Sequence, residues 1–282
     1  MILKKSILWL FFLLTIISSF FLNLHGDLFQ VGNLEINKSN FIILVVPVLL
    51  LLLHSSWTLG VRRSLFFVIT ASLIGFVFEY FGLKYGTIFG GEYVYLSKGI
   101  VLFSVPLNVV VFWSVFIYTG YCITNSFCYW LGREKPSIKN SQLKLLFFFI
   151  LVDGLIVVLI DLFMDPLQVY SGTWSWPNGG PVFGVPIGNF VGWFVVTVLS
   201  SGVFRVFEYY YPKQVEISMR DVFIIPVLGY GLLYLNFLSA SVKFEMFELS
   251  FVGSLTMLPI FVSNIILYSL RNNRHKNHTT RV

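Results

Sequence analysis

Apolar residues recur along this chain in runs of about twenty, the length that crosses a hydrocarbon layer as a helix rising 1.5 Å per residue. Eight such runs are read, over residues 6–24, 41–57, 64–82, 104–128, 143–164, 189–208, 221–240 and 247–269. Short polar or Gly/Pro-rich links separate them. Only a helix or a closed barrel satisfies its own backbone polar groups in lipid, and runs this long suit helices. The pattern therefore predicts an all-α polytopic membrane bundle of about eight spans, a single transmembrane domain over 1–282. Charged residues make up 11% of the chain, against about 25% in soluble domains. So little polar surface excludes a soluble fold and, despite a net charge of +6, nucleic-acid binding.

The first run follows Lys4 and Lys5 and is longer than a typical signal-peptide core. No small-x-small cleavage site follows it, so it is read as a helix. On alternate sides of the eight spans, 15 Lys and Arg fall with the two termini and 4 fall opposite. The four are Lys38, Lys84, Lys98 and Lys243. The positive-inside rule then places both termini in the cytoplasm of a cell membrane, with residues 270–282 as a basic tail that attracts anionic lipid.

Cys122 and Cys128 share one apolar run and read as small apolar fillers. His25, His54, His275 and His278 are scattered singly, without the helical pairing that a metal site in a bundle needs, so neither a metal nor another cofactor is expected. P-loop, dinucleotide and serine-elbow motifs are absent. Chemistry, if present, falls to carboxyl groups.

An internal repeat says which ones. Val105-Pro106-Leu107 precedes Trp113, and Val185-Pro186-Ile187 precedes Trp193, with seven residues from Pro to Trp in both. Ahead of each lies an aromatic, Gly-rich loop opening with Gly86-Thr87 or Gly172-Thr173, and seven residues before each Gly-Thr stands an acid, Glu79 or Asp165. Helix, outer loop and helix recur as a unit, with both copies in the same orientation. Glu79 lies about 22 Å from the start of its span, in the outer half. Asp161 and Asp165 share a helix face near the outer end of span five, with Asp153 nearer mid-bilayer. Four acids and two aromatic loops are thus expected to converge.

An acid inside a span costs about 2.5–3.5 kcal/mol on insertion scales, so it persists where it is paired, lines a wet cavity or does chemistry. Spans three and five carry no Lys or Arg beside these acids, which favours hydrogen-bonded or protonated carboxyls. Asp165 before Pro166 also fits an ordinary helix-end turn. Gly75, Glu79 and Gly82 at helical spacing set a carboxyl on a smooth face that another helix or a flat ligand can approach. Asn108 and Asn189, near the outer starts of their spans, fit either helix caps or partners for a water or a carboxyl. Tyr85, Phe89, Tyr93, Tyr95, Tyr170, Trp174 and Trp176 crowd the two loops. They read as an interfacial belt or, more sharply, as ring faces around a site where positive charge develops.

The run Asp165-Pro166, Gly172-Thr173-Trp174-Ser175-Trp176 and Phe183-Gly184-Val185-Pro186-Ile187-Gly188-Asn189-Phe190-Val191-Gly192-Trp193-Phe194 resembles the signature of membrane carotenoid biosynthesis proteins that hydrate acyclic carotenoid ends, the bisanhydrobacterioruberin hydratase type. Glu79, Tyr80, Gly82, Gly86, Phe89-Gly90, Tyr93, Tyr95, Val105-Pro106-Leu107 and Trp113 are similar to that family's first half, and the resemblance covers about residues 70–240. A remoter similarity runs to the small membrane lycopene cyclases, in which paired glutamates follow the Pro that opens the later span. Here Ile187-Gly188-Asn189 stands in their place.

The resemblance implies a cofactor-independent hydro-lyase that adds water across the terminal double bond of an acyclic (ψ) end group. Its partners are the carotenoid and membrane lipid. Such chemistry needs a carboxylic acid to protonate the alkene and a second group to position water. Glu79 and Asp161 are the expected acid and base, unordered. Asp165, Asn108 and Asn189 would hold water at the rim, while Tyr93, Tyr95, Trp174, Trp176 and Trp193 would shape the pocket. The alternatives are a cyclase-like isomerase, in which an internal double bond captures the cation, and a carotenoid-binding or transport protein without catalysis.

Overall fold

A computed structural model describes residues 2–25, 38–96, 100–130, 142–212 and 222–279. Of the basic residues that set the expected orientation, Lys98, Arg133, Lys135, Lys139, Lys213, Arg220 and Arg281 lie outside these ranges, as does residue 221 of the seventh expected span. Eight helices are found among the described residues: α1 Ile2–His25, α2 Lys38–Thr58, α3 Val61–Tyr85, α4 Leu107–Trp130, α5 Gln142–Tyr170, α6 Ile187–Tyr210, α7 Ile224–Lys243 and α8 Phe247–Thr279. Among the described residues, seven are long and apolar enough to cross a membrane. The all-α membrane bundle expected from the sequence is what forms.

Burial follows the inverted logic of a bundle in lipid, where outward faces are apolar and polar groups turn inward. On α6, Val191, Val195, Leu199 and Val203 form an exposed stripe at four-residue steps. Two positions round the helix, Asn189, Trp193, Thr197, Ser201 and Arg205 form a buried one. Helix α4 sits at the centre, packed against α2, α3, α5, α6, α7 and α8, and α1 lies outermost against α2 and α7.

Two boundaries differ from expectation in ways that matter for the site. Helix α5 runs through Pro166 to Tyr170, so Asp165 projects from within a helix rather than from a helix-end turn. Helix α4 starts at Leu107, because residues 101–106 form a hairpin. Its strands, β2 (Val101–Leu102) and β3 (Val105–Pro106), pair antiparallel. Likewise α8 continues through the expected tail as far as Thr279.

The hairpin reveals that the repeat is longer than its Pro–Trp spacing. Phe103 and Ser104 turn it with φ of 48° and 70°, and in the second unit Phe183 and Gly184 turn the Val182–Val185 bridge with φ of 50° and 87°. Positive φ at both central residues is the tight-hairpin geometry that reverses the chain in the fewest residues. In both units it delivers a proline directly to the start of the returning helix. At the other end of the first loop, Gly86 in left-handed conformation closes α3 by donating its N–H to the Gly82 carbonyl.

The two loops are tied to each other. Strand β1 (Val94–Tyr95) pairs antiparallel with β4 (Trp174–Ser175), setting Tyr95 opposite Trp174. Below them the backbones of Gly90 and Gly188 approach so closely that a Cβ on Gly188 would lie 2.4 Å from the Gly90 Cα. The repeats therefore meet at one end of the bundle, over the ends of α3 and α5 and the starts of α4 and α6.

Candidate active site

Glu79 is buried on α3 and receives three hydrogen bonds. The hydroxyls of Tyr93 and Tyr95 donate to its Oε2 at 2.6 and 2.8 Å, and the indole Nε1 of Trp113 donates to its Oε1 at 3.1 Å. Burial, then the Glu79 charge, pushes both phenols above their ordinary pKa, so each stays a proton-bearing donor. Gly75 and Gly82, one turn to either side, leave room for these donors. A Cβ at Gly75 would lie 2.4 Å from the Trp113 ring, and one at Gly82 would lie 2.9 Å from the Tyr93 hydroxyl. The smooth face expected around Glu79 is thus filled by the rings that bind it.

Asp161 and Asp165 are both fully buried on α5. The side-chain amide of Asn189 donates to the Oδ2 of each, at 2.9 and 2.6 Å, so those two oxygens lie no farther apart than the sum of the two bonds. Each aspartate keeps a buried Oδ1 without a hydrogen-bond partner. Glu79 lies within electrostatic range of both. Three carboxyl groups thus share one region, but their partners differ: Glu79 receives three donors, while the two aspartates share the single Asn189 amide and lie within hydrogen-bonding reach of each other.

Aromatic rings pack between and above the carboxyls. Trp113 and Trp193, equivalent in the repeat, have ring centroids 4.1 Å apart. Trp176 lies 5.7 Å from Tyr93 and donates its Nε1 to the Phe89 carbonyl at 3.0 Å, while Trp174 meets Tyr95 edge-on at 5.8 Å. Phe89 packs at the centre of this group, stacked on Trp113 and edge-on to Tyr93, and fills the space that Gly192 leaves open. The repeat does not reveal that role, since Phe89 has no aromatic counterpart in the second loop.

Of the residues singled out from the sequence, Glu79, Asp161, Asp165, Tyr93, Tyr95, Trp174, Trp176, Asn189 and Trp193 come together here. Asn108 does not. It is exposed at the start of α4 and makes none of the site's hydrogen bonds. Asp153 also departs, contrary to the expected convergence of four acids without basic partners. It is held bidentately by Arg205 of α6, with Nε to Oδ2 at 2.5 Å and Nη2 to Oδ1 at 2.7 Å. Arg205 also donates to the Asn125 side chain and the Tyr121 carbonyl, and its guanidinium lies 4.6 Å over the Tyr121 ring. This arginine, counted among the cytoplasmic-side charges, is in fact buried inside the bundle; removing it from the count leaves the sign of the asymmetry unchanged.

A second polar cluster joins α2 to α4. His54 Nε2 meets the Val222 carbonyl at 3.1 Å, so it carries the proton, and Nδ1 accepts from the Tyr118 hydroxyl at 2.8 Å. With every polar atom of the ring occupied, it ties helices together rather than offering a ligand. Among the described residues no three His, Cys, Asp or Glu are grouped as a metal would require.

Fold and site define a class: a polytopic helical membrane protein that gathers three carboxyl groups among aromatic rings where two repeated units meet. The chain belongs to the carotenoid biosynthesis protein family, whose sequence model matches residues 39–262. That stretch takes in both repeats, nearly all of α2 and the first half of α8, and membership implies a carotenoid substrate in a membrane. No curated protein and no solved structure matches the chain.

Proposed function

We propose that this chain is a carotenoid hydratase that adds water to the terminal double bond of an acyclic end group. The observation carrying the reading is the Asp161–Asp165 pair, buried, bridged by one amide and within hydrogen-bonding reach of each other, with no neighbouring residue donating to either Oδ1. Such a pair can hold one proton between two like groups, which gives a donor and an acceptor side by side. In the reaction, one carboxylic acid transfers its proton to the CH carbon of the terminal alkene, and the π electrons form the new C–H bond. The remaining tertiary cation is captured by the oxygen of a water, whose surplus proton passes to the neighbouring carboxylate. One water is consumed, and the pair returns to its starting protonation.

Glu79 takes a different part. Its three donors favour a charged carboxylate, which stabilises the cation through space without collapsing onto it. The faces of Trp113, Trp193, Tyr93 and Trp176 add their negative quadrupoles. The deprotonated member of the Asp161–Asp165 pair also favours water over an internal double bond as the captor, because it can take the proton that water loses.

The test is the mass of the carotenoids made by a lycopene-producing cell with and without this gene, repeated in a cell supplying a longer acyclic carotenoid. Products heavier by one or two waters are expected. An isomer of unchanged mass would replace the hydratase with a cyclase, and recovery of unaltered pigment bound to the protein would replace it with a carrier.

The basic-residue asymmetry supports a cell-membrane location with the site in the outer half and the termini cytoplasmic. Asn178 is exposed in the second loop. In Asn178→Cys, a membrane-impermeant thiol reagent should label that position from outside intact cells; labelling only after lysis would reverse the orientation.

A further inference from the structure

Among the described residues, the buried Ser and Thr hydroxyls follow a rule with one local exception. Ser55, Thr58, Thr119 and Ser254 each donate to the carbonyl four residues back, at 2.7 to 2.8 Å, the usual way a helix satisfies a buried hydroxyl. On α6, Thr197, Ser200 and Ser201 are as fully buried, yet their hydroxyl oxygens have no partner in the protein. All three lie on the buried face of one helix, within one and a half turns. Buried polar atoms left unpaired are rare in native proteins, and three together mark a place where something else completes the bonds.

The surroundings say what. Arg205 and Asp153 form a buried ion pair one turn inward of Ser201. Outward, Trp193 stands one turn from Thr197. A side chain at Gly154 of α5 would strike Phe194 and Val198 of α6, and one at Gly202 of α6 would face Ile150 of α5. These contacts place Thr197 level with Gly154, beside the depth of Asp153 and about two turns of α5 short of Asp161. Thr197 and Ser201 are four residues apart, a rise of about 6 Å, and two O–H···O bonds of about 2.75 Å joined at one oxygen span nearly that distance. A water bonded to one hydroxyl therefore reaches the other only where the two side chains lean toward each other along the helix, and Ser200 offers a third partner, within the two to four bonds that a buried water makes.

We propose that Thr197, Ser200 and Ser201 bind water inside the bundle, and that this hydration site is the store from which the carboxyl site is supplied. The second half rests on the hydratase reading; the first does not. Trp193 separates the store from the aspartate pair, so movement of one indole would admit water to the site once the polyene is seated.

X-ray radiolysis tests this directly, because hydroxyl radicals made from bound water oxidise the side chains beside it even where bulk solvent cannot reach. Trp193 and Phe204 flank the three hydroxyls along α6, and Phe163, equally buried on α5, serves as the dry reference. With oxidation rates normalised to the denatured chain, Trp193 and Phe204 should react at least about fivefold faster than Phe163. Thr197→Val with Ser201→Ala should bring Phe204 to the level of Phe163, and Thr197→Ser should leave it reactive. If Phe204 is as protected as Phe163 in the native protein, or still reacts in the double variant, the hydration site is overturned. Labelled Phe204 with no heavier carotenoid would leave the bound water standing and remove the hydratase. A heavier carotenoid with protected Phe204 would remove this inference alone.

Discussion

Asp161→Asn is expected to lower hydration of the carotenoid by about 10²–10⁴-fold, the usual contribution of a positioned general acid, while the protein inserts and accumulates as before. Asparagine preserves the shape of the side chain and can still occupy the buried face of α5, but it carries no transferable proton. Asp165→Asn should act in the same direction, because the proton belongs to a pair joined through the Asn189 amide. Glu79→Gln works differently. The amide still accepts from Tyr93 or Tyr95, but the charge that stabilises the cation is gone, and its NH₂ now faces a hydroxyl or an indole N–H that also donates. Comparing heavier product per unit of extracted protein separates these losses from poor expression. Native rates in both Asp161→Asn and Glu79→Gln would remove those two carboxyls from the chemistry and, with them, the shared-proton mechanism.

Most of this site was legible because the residues that carry it obey spacing. Seven residues from acid to Gly-Thr and seven from Pro to Trp, found twice, are enough to bring Glu79 near Asp165 and Trp113 against Trp193 once the two units pack side by side. The same arithmetic explains why Asn108 falls outside the site. Asn189 follows its proline by three residues and Asn108 follows its own by two. One residue turns a helix by about 100°, so Asn189 faces the aspartates and Asn108 faces outward. The short ribbons β1–β4 and β2–β3 were invisible because two-residue strands carry no alternation to detect. Arg205 was misread for a related reason. Near the end of an apolar run, an arginine looks like an interfacial charge, and only the packing of α5 against α6 shows that its partner lies 52 residues away in sequence.

That partnership sets the largest expected effect on stability. Arg205→Met should lower the stability of the bundle by about 3–5 kcal/mol, because it leaves the Asp153 carboxylate buried without a counter-charge, and little folded protein should be recovered from membranes. Methionine replaces most of the apolar stem, so the loss reports charge rather than a cavity. Asp153→Leu combined with Arg205→Met should recover much of the loss. With both charges gone, nothing ionic remains to be solvated inside the bundle, and two flexible apolar side chains can meet between α5 and α6. The double variant also separates two roles for the pair. If the ion pair serves only to compensate itself, the double variant melts near the native temperature in detergent and behaves as the native protein does. If its bonds to Asn125 and the Tyr121 carbonyl also hold α4 in register, the double variant folds but melts lower, because those acceptors lose their donor. Normal accumulation of Arg205→Met alone would mean that Asp153 is neutralised or solvated without the arginine, and the buried pair would then have no structural role.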